Sequence, residues 1–149
     1  MIGDCHDMKP LPDSVKKLIE AKTFANIATL MPDGSPTSLK HGSTTMGDGD
    51  LVLINTIEGS LKHKNVLRNP RVALDICDPA NAFNVAVIRG RVKEVTFKGA
   101  DEHVDRLAKK YLGQDKYQSR RPGMRRVLFK IEPLHIVPPF TDTTPRKST

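Results

Sequence analysis

The residues best suited to chemistry lie together in the run Asn55-Thr56-Ile57-Glu58-Gly59-Ser60-Leu61-Lys62-His63-Lys64-Asn65 and its continuation to Val72. A strand-like stretch ends there in small polar residues and enters a helix. The opening turn of a helix presents backbone N–H groups without intrahelical partners and a partial positive charge. Ser60 is placed to cap that turn or to donate its hydroxyl. At 100° per residue, Lys62, Asn65 and Asn69 fall within about 60° of one another around the helix. A cation and an amide on one face, beside a helix start, can clamp a phosphate. The same residues also suit a solvated, capped basic helix, and residue types alone leave both readings open.

Other polar residues carry weaker signals. Lys40 and His41 sit mid-strand in a polar stretch, which suits either a groove lining or a solvent face. His41, His63, His103 and His135 share no metal-ligand spacing, so no metal is expected. Cys5 and Cys77 form no disulfide framework, and Cys77, in an apolar strand, is expected to be a small buried residue. Arg120, Arg121, Arg125 and Arg126 cluster around Pro122-Gly123. That loop is either solvated or holds an anionic tail. No Ser-His-Asp order, carboxylate pair or reactive cysteine stands out, so no general acid or base is named. Such a chain suits chemistry carried by a bound cofactor.

Strands dominate the elements that must position these residues. Pro12-Asp13-Ser14 starts a short helix to about residue 22, with Asp13 or Ser14 as cap and Val15, Leu18 and Ile19 on one face. Residues 24–30 and 36–45 form strands joined at Pro32-Asp33-Gly34, where glycine supplies the positive φ of a tight turn. A turn at residues 47–50 leads to a third strand, 51–55, and the short loops imply an antiparallel meander. A helix over residues 60–69 stops at Pro70. A fourth strand spans 71–78 and a long fifth spans 83–97, whose alternation slips at Arg89-Gly90 as at a bulge or bend. Val104, Leu107, Ala108, Tyr111 and Leu112 make a helical stripe over 101–112, stopped by Gly113. A sixth strand covers 127–131, and residues 135–137 extend the sheet.

The bulk numbers bound the function. A chain of 149 residues suits one domain with its own core. We expect a flexible lead over residues 1–11, a single domain over 12–140 and a flexible polar tail over 141–149. The net charge of +7 suits a nucleic acid, an anionic membrane or an anionic small molecule. No apolar run is long enough for a transmembrane helix, and the N-terminus lacks a signal-peptide core, so a cytoplasmic protein is expected. Aromatic residues are only 5% of the chain, too few to stack bases freely, which counts against a nucleic-acid module.

Gly59, Lys62, Asn65, Pro70, Arg71 and Val72 fall in the order of a Gly-Arg-x-Lys-x-x-Asn-Leu-x-x-Asp-Pro-Arg-Val run. Together with the 24–36 hairpin, Arg89-Gly90-Arg91-Val92 and the stretch from Asp105 to Gly113, they resemble the split-barrel family of pyridoxamine 5'-phosphate oxidase and the flavin/deazaflavin-dependent oxidoreductases. Ser60 stands where that run has Arg, Val66 where it has Leu and Asn69 where it has Asp. The resemblance implies a mainly β (α+β) fold, a six-stranded antiparallel split β-barrel of FMN-binding type with short peripheral helices. It implies a homodimer with the cofactor in a groove at the subunit interface. Ser38, Leu39 and Lys40 of the second strand, with Asn55 and Thr56 of the third, would run along the ring system. Ser60, Lys62 and Asn65 would hold the phosphate. The activity implied is hydride transfer between coenzyme F-420 and a small organic substrate. The alternative is an FMN protein, either a flavin reductase or an oxidase, the latter less expected because the chain ends soon after its sixth strand. A non-enzymatic nucleic-acid module is the third reading.

Overall fold

The computed structural model describes residues 8–41 and 45–140. Residues 1–7 of the expected lead over 1–11, and the expected tail over 141–149, lie outside the described residues. Seven strands and three helices follow in chain order. They are α1 (Asp13–Glu20), β1 (Phe24–Leu30), β2 (Pro36–His41), β3 (Thr45–Met46), β4 (Val52–Ile57), α2 (Leu61–Arg68), β5 (Arg71–Asp78), β6 (Asn81–Thr96), α3 (Ala100–Leu112) and β7 (Arg126–Val137). No helix among the described residues is long and apolar enough to cross a membrane.

All the described strand pairs are antiparallel, in the order β2-β1-β5-β6-β7-β4-β3. The six strands of the expected barrel are present, with the second in two pieces. β2 pairs with β1 on one edge and β3 with β4 on the other. Four backbone steps separate His41 from Thr45, a reach of at most about 14 Å. The two edges are therefore close, and the sheet curls into a split barrel. The expected meander is present in its neighbour pairings, β1 with β2 and β3, the second piece of the expected second strand, with β4. Among the described residues β4 pairs with β7 and β3 and not with β2, because its long partner comes from the far end of the chain.

The barrel is filled by the inward positions of each strand. Ile27, Ile54, Leu74, Ile76, Ile88, Phe129 and Ile131 are buried in one cluster, and Val15, Leu18 and Ile19 of α1 close one end. Each such side chain contributes about 1.5–3 kcal/mol of hydrophobic stabilisation. Leu11 belongs to that cluster too, and the Lys9 N–H donates to the Pro133 carbonyl at 2.8 Å. The Asp50 carboxylate joins this region to the barrel, accepting from the Leu11 N–H at 3.4 Å and pairing with Lys16 at 3.1 Å. The expected side-chain cap of α1 is absent. Pro12 occupies the cap position, and Asp13 is already helical, its carboxylate facing the positive end of the helix.

β6 is 16 residues long and bends where it meets β7. Gly90 pairs with Pro133 directly after Arg89 pairs with His135, so Leu134 is an extra residue on β7. Lys93 is the matching extra residue on β6, between the Val92–Ile131 and Glu94–Lys130 pairs. The slip read at Gly90 is thus a bulge. It also lets β7 continue through Pro133 as one strand, where 127–131 and 135–137 were expected separately; proline, lacking an N–H, fits such a site.

α3 packs Val104, Leu107 and Ala108 inward, whereas Leu112 is exposed. The Tyr111 hydroxyl donates to the Thr23 carbonyl at 2.6 Å and the Lys110 ammonium to the Ile19 carbonyl at 2.6 Å, tying α3 to the α1–β1 corner. Cys77 is half-buried on the outer sheet face rather than in the core.

Candidate functional site

β4 delivers the chain to the start of α2 through a turn held by one local bond and one to the loop before β7. The Ser60 N–H donates to the Ile57 carbonyl at 3.1 Å, and the Glu58 N–H donates to the Arg125 carbonyl at 2.8 Å. Gly59 has φ 80°, a left-handed conformation that favours glycine. Ser60 caps the helix, its hydroxyl accepting from the His63 N–H at 3.4 Å and lying 3.3 Å from the Thr56 hydroxyl. The N–H groups of Leu61 and Lys62, the first two helical residues, have no partner among the described residues.

His63 stabilises this turn and was not singled out from sequence. Its Nδ1 accepts from the Gly59 N–H at 2.9 Å, which makes Nε2 the protonated nitrogen of the neutral ring. The ring is buried and stacks on Phe129, with centroids 6.4 Å apart. Its i, i+3 spacing with buried Val66 is the signal that points it inward.

The expected site residues do not all meet in one place. Ser38, Leu39 and Lys62, together with Ile27, Thr29, Thr37 and Leu61, line one cleft of about 100 Å³ between β2 and the first turn of α2. The backbone of Lys40 continues β2 opposite Asn26, and its side chain lies outside the described set. Ser60 and Thr56 form the adjoining corner. Asn55 is turned the other way. Its amide donates to the Ala100 carbonyl at 2.7 Å, and its Oδ1 is buried with no hydrogen-bond partner among the described residues.

Asn65 is fully buried and committed at both ends. Its amide donates to the Thr29 hydroxyl at 3.0 Å, and its Oδ1 accepts from both Arg68 guanidinium nitrogens at 3.2 and 3.1 Å. It ties α2 to β1 from beneath the helix. Asn69 sits at the far end of α2, where its carbonyl oxygen Oδ1 accepts from the Arg71 N–H at 3.2 Å, and it does not reach the helix start. Asn65→Ala should lower stability by about 1–3 kcal/mol, because the Thr29 hydroxyl is left buried without its partner. A shift of the urea midpoint measures this, and an unchanged midpoint would contradict the structural role.

The electrostatics single out Lys62. Burial, and secondarily the neighbouring Arg126 guanidinium, hold its ammonium below the ordinary lysine value. The first turn of α2 contains no acidic residue. Two cations thus stand beside a helix N-terminus, where each is disfavoured by about 0.3–1 kcal/mol unless an anion joins them. Arg120 is occupied elsewhere, paired with Asp101 at 2.9 Å and Asp105 at 2.6 Å on α3.

Three larger cavities contain none of the expected residues; one of about 470 Å³ lies beside α1 and the β5–β6 turn, lined by Ser14, Lys17, Lys22, Asp78 and Asn84 among others. One of about 540 Å³ lies between the start of α3 and the β4, β6 and β7 strands, lined by Leu53, Leu128, Glu94, Lys98, Arg106 and Lys130 among others. Another of about 440 Å³ lies on the outer face of β1, β5, β6 and β7, with Arg71, Arg89 and His135 at its rim. Size alone favours these, but in the 540 Å³ cavity Lys130 already has Glu94 at 3.0 Å, and none of the three is lined by the first turn of α2. The α2 cleft is where the expected residues Ser38, Leu39 and Lys62 meet the free N–H groups of that turn.

Comparison with known proteins bears on the fold around this cleft. The family model described as pyridoxamine 5'-phosphate oxidase matches residues 11–136. Among solved structures, one described as an F-420 reductase is 23% identical, with a TM-score of 0.71, covering 85% of this chain and 98% of that one. A conserved hypothetical protein of Mycobacterium tuberculosis is 20% identical at a TM-score of 0.64, covering 88% and 85% of the two chains. HupZ of Group A Streptococcus is 19% identical at a TM-score of 0.60, covering 85% and 91%. No curated protein sequence matches the chain.

Proposed function

Because the chain belongs to the pyridoxamine 5'-phosphate oxidase family, we propose that it is a cytoplasmic, homodimeric oxidoreductase. It holds coenzyme F-420 in the α2 cleft and passes hydride between that coenzyme and a small organic substrate. The observation that carries this reading is the half-buried Lys62 ammonium at the first turn of α2, unpaired with any carboxylate among the described residues. The donor set fits the phosphorylated arm of a deazaflavin or flavin. It comprises the N–H groups of Leu61 and Lys62, the Lys62 ammonium and the Ser60 hydroxyl. When bound, the ring of such a cofactor supplies the hydride chemistry.

The chain's own part is binding and orientation. β2 pairs only with β1 among the described residues, so its outer edge leaves backbone N–H and C=O groups of the Ser38–Lys40 stretch free to meet the polar edge of a ring. Thr56 and Ser60 form the corner where ring and phosphate arm would meet, and Asn65 holds α2 at the right distance from β1. Asn55 positions the end of β4 by its bond to α3.

A cleft of about 100 Å³ is too small to enclose a ring cofactor, since such sites measure about 300–1,000 Å³. Leu39 and Leu61 at its rim are 57% and 53% exposed. A second copy covering this rim completes the groove. The outer sheet face, with Phe83, Val87 and Val137 exposed and Val87 beside Val137, offers the apolar surface for it.

The second reading is an FMN protein in the same barrel, favoured by the description of the matching family. Titrating the purified protein with coenzyme F-420 and with FMN, followed by visible absorbance and fluorescence, separates the two. Binding of F-420 with reduction or oxidation of its ring in the presence of a substrate is expected. Tight FMN binding without F-420 binding would replace the first reading by the second. Salt-sensitive DNA binding with neither cofactor bound would remove both.

A further inference from the structure

We propose that Arg126, the first residue of β7, is the second cation of the α2 phosphate site, held ready by stacking on Tyr117. The inference rests on the cofactor reading above and assigns a residue that lies 64 positions beyond Lys62 in the chain.

The basic cluster of residues 120–126 does not act as one patch. Arg120 is spent on Asp101 and Asp105 of α3. Arg125 lies over the Phe97 ring, 3.6 Å from its centroid, while its carbonyl accepts from Glu58 in the β4–α2 turn. Arg126 lies over the Tyr117 ring, 4.8 Å from its centroid. Stacking engages the face of a guanidinium and leaves its in-plane N–H groups available for a bidentate contact.

The register places the Arg126 backbone beside the turn that leads into α2. Arg126 pairs with Ile57, the last residue of β4, so β7 and α2 flank the turn of residues 58–60 from two sides. After burial, its charge is the second cause that holds the Lys62 ammonium below the ordinary lysine value. Neither cation has a carboxylate partner among the described residues, and Glu58, the acid in the turn itself, is exposed and pairs with neither. Two like charges brought together without an intervening anion destabilise the free protein. A phosphate between them relieves that repulsion, taking a bidentate contact from Arg126, one from Lys62 and the free N–H groups of the first turn.

The test compares a ring cofactor with its phosphate-free form, FMN with riboflavin, or coenzyme F-420 with the ribityl deazaflavin that lacks the phosphodiester arm. Arg126→Ala and Arg126→Gln are expected to weaken the phosphorylated form by about ten- to a hundredfold, the range for a hydrogen bond to a charged group. The phosphate-free form should bind as to the unaltered protein. Arg126→Lys should recover part of the loss, because it keeps the charge without the fork. Loss of both forms in parallel would overturn the proposal, since it would mean that the ring site or the fold was damaged. Full affinity in both Arg126 variants, with affinity lost in Lys62→Ala, would remove Arg126 and leave the cofactor reading standing. Full affinity in the Arg126 and the Lys62 variants alike would remove both.

Discussion

Lys62→Ala is expected to weaken cofactor binding by about 1.5–3 kcal/mol while leaving the fold as stable as before, or slightly more so. The two effects have one cause. The ammonium pairs with no carboxylate among the described residues, sits at the positive end of α2 and is disfavoured by burial and by Arg126. Removing it from the free protein relieves those costs; removing it from the complex deletes a charge-assisted bond. A structural lysine would show the opposite, with stability lost and affinity kept. The pH dependence follows with a definite sign. A lysine whose folded value is lowered binds fewer protons folded than unfolded, so the free protein gains stability as pH rises through that lowered value. Anion binding needs the protonated form, so affinity falls over the same rise in pH and begins to fall below the ordinary value of 10.5. Fluorescence titrations across that range should show this fall in the unaltered protein and a flatter profile in Lys62→Ala. An unchanged dissociation constant in the variant would remove phosphate binding from α2.

What could be read from the sequence was whatever is encoded locally. β5 was placed at Arg71–Asp78 because Val72, Leu74 and Ile76 alternate and prolines stand at both ends. α2 was legible from Ser60 at its start and Pro70 after its end, and the six-stranded split barrel was implied by the family resemblance that this run carries together with the 24–36, 89–92 and 105–113 stretches. Partners distant in the chain were not legible. Short loops suggested that β4 pairs with its neighbour, as it does over two residues of β3, but its longer partner β7 lies about seventy residues further on, and no local pattern announces it. The same distance hid Arg126. In the sequence it belongs to a cluster of arginines, and only the β4–β7 register separates it from Arg120 and brings it to Lys62. Asn65 shows the opposite limit. Its spacing with Lys62 was read correctly, but spacing does not reveal that Thr29 and Arg68 already occupy its amide.

Gly90→Ala should destabilise the protein by about 3 kcal/mol, the upper end of what overpacking costs. The reason is not backbone freedom, for Gly90 is no left-handed residue. A Cβ at this position would collide with the Glu132 carbonyl oxygen and lie 3.1 Å from the Ile131 Cγ2. The first obstacle is backbone on the neighbouring strand, so no side-chain rotation can clear it. β6 and β7 would have to part where Leu134 bulges and where buried Glu132 meets Arg91 at 3.2 Å. A domain of this size has about 5–15 kcal/mol of stability in all, so the shift in urea midpoint should be large. Because β7 also carries Arg126 against the end of β4, the variant should lose affinity for the phosphorylated cofactor even below its unfolding transition. A midpoint within error of the unaltered protein would show that the two strands separate cheaply, and the bulge would no longer account for how the sheet closes around its core.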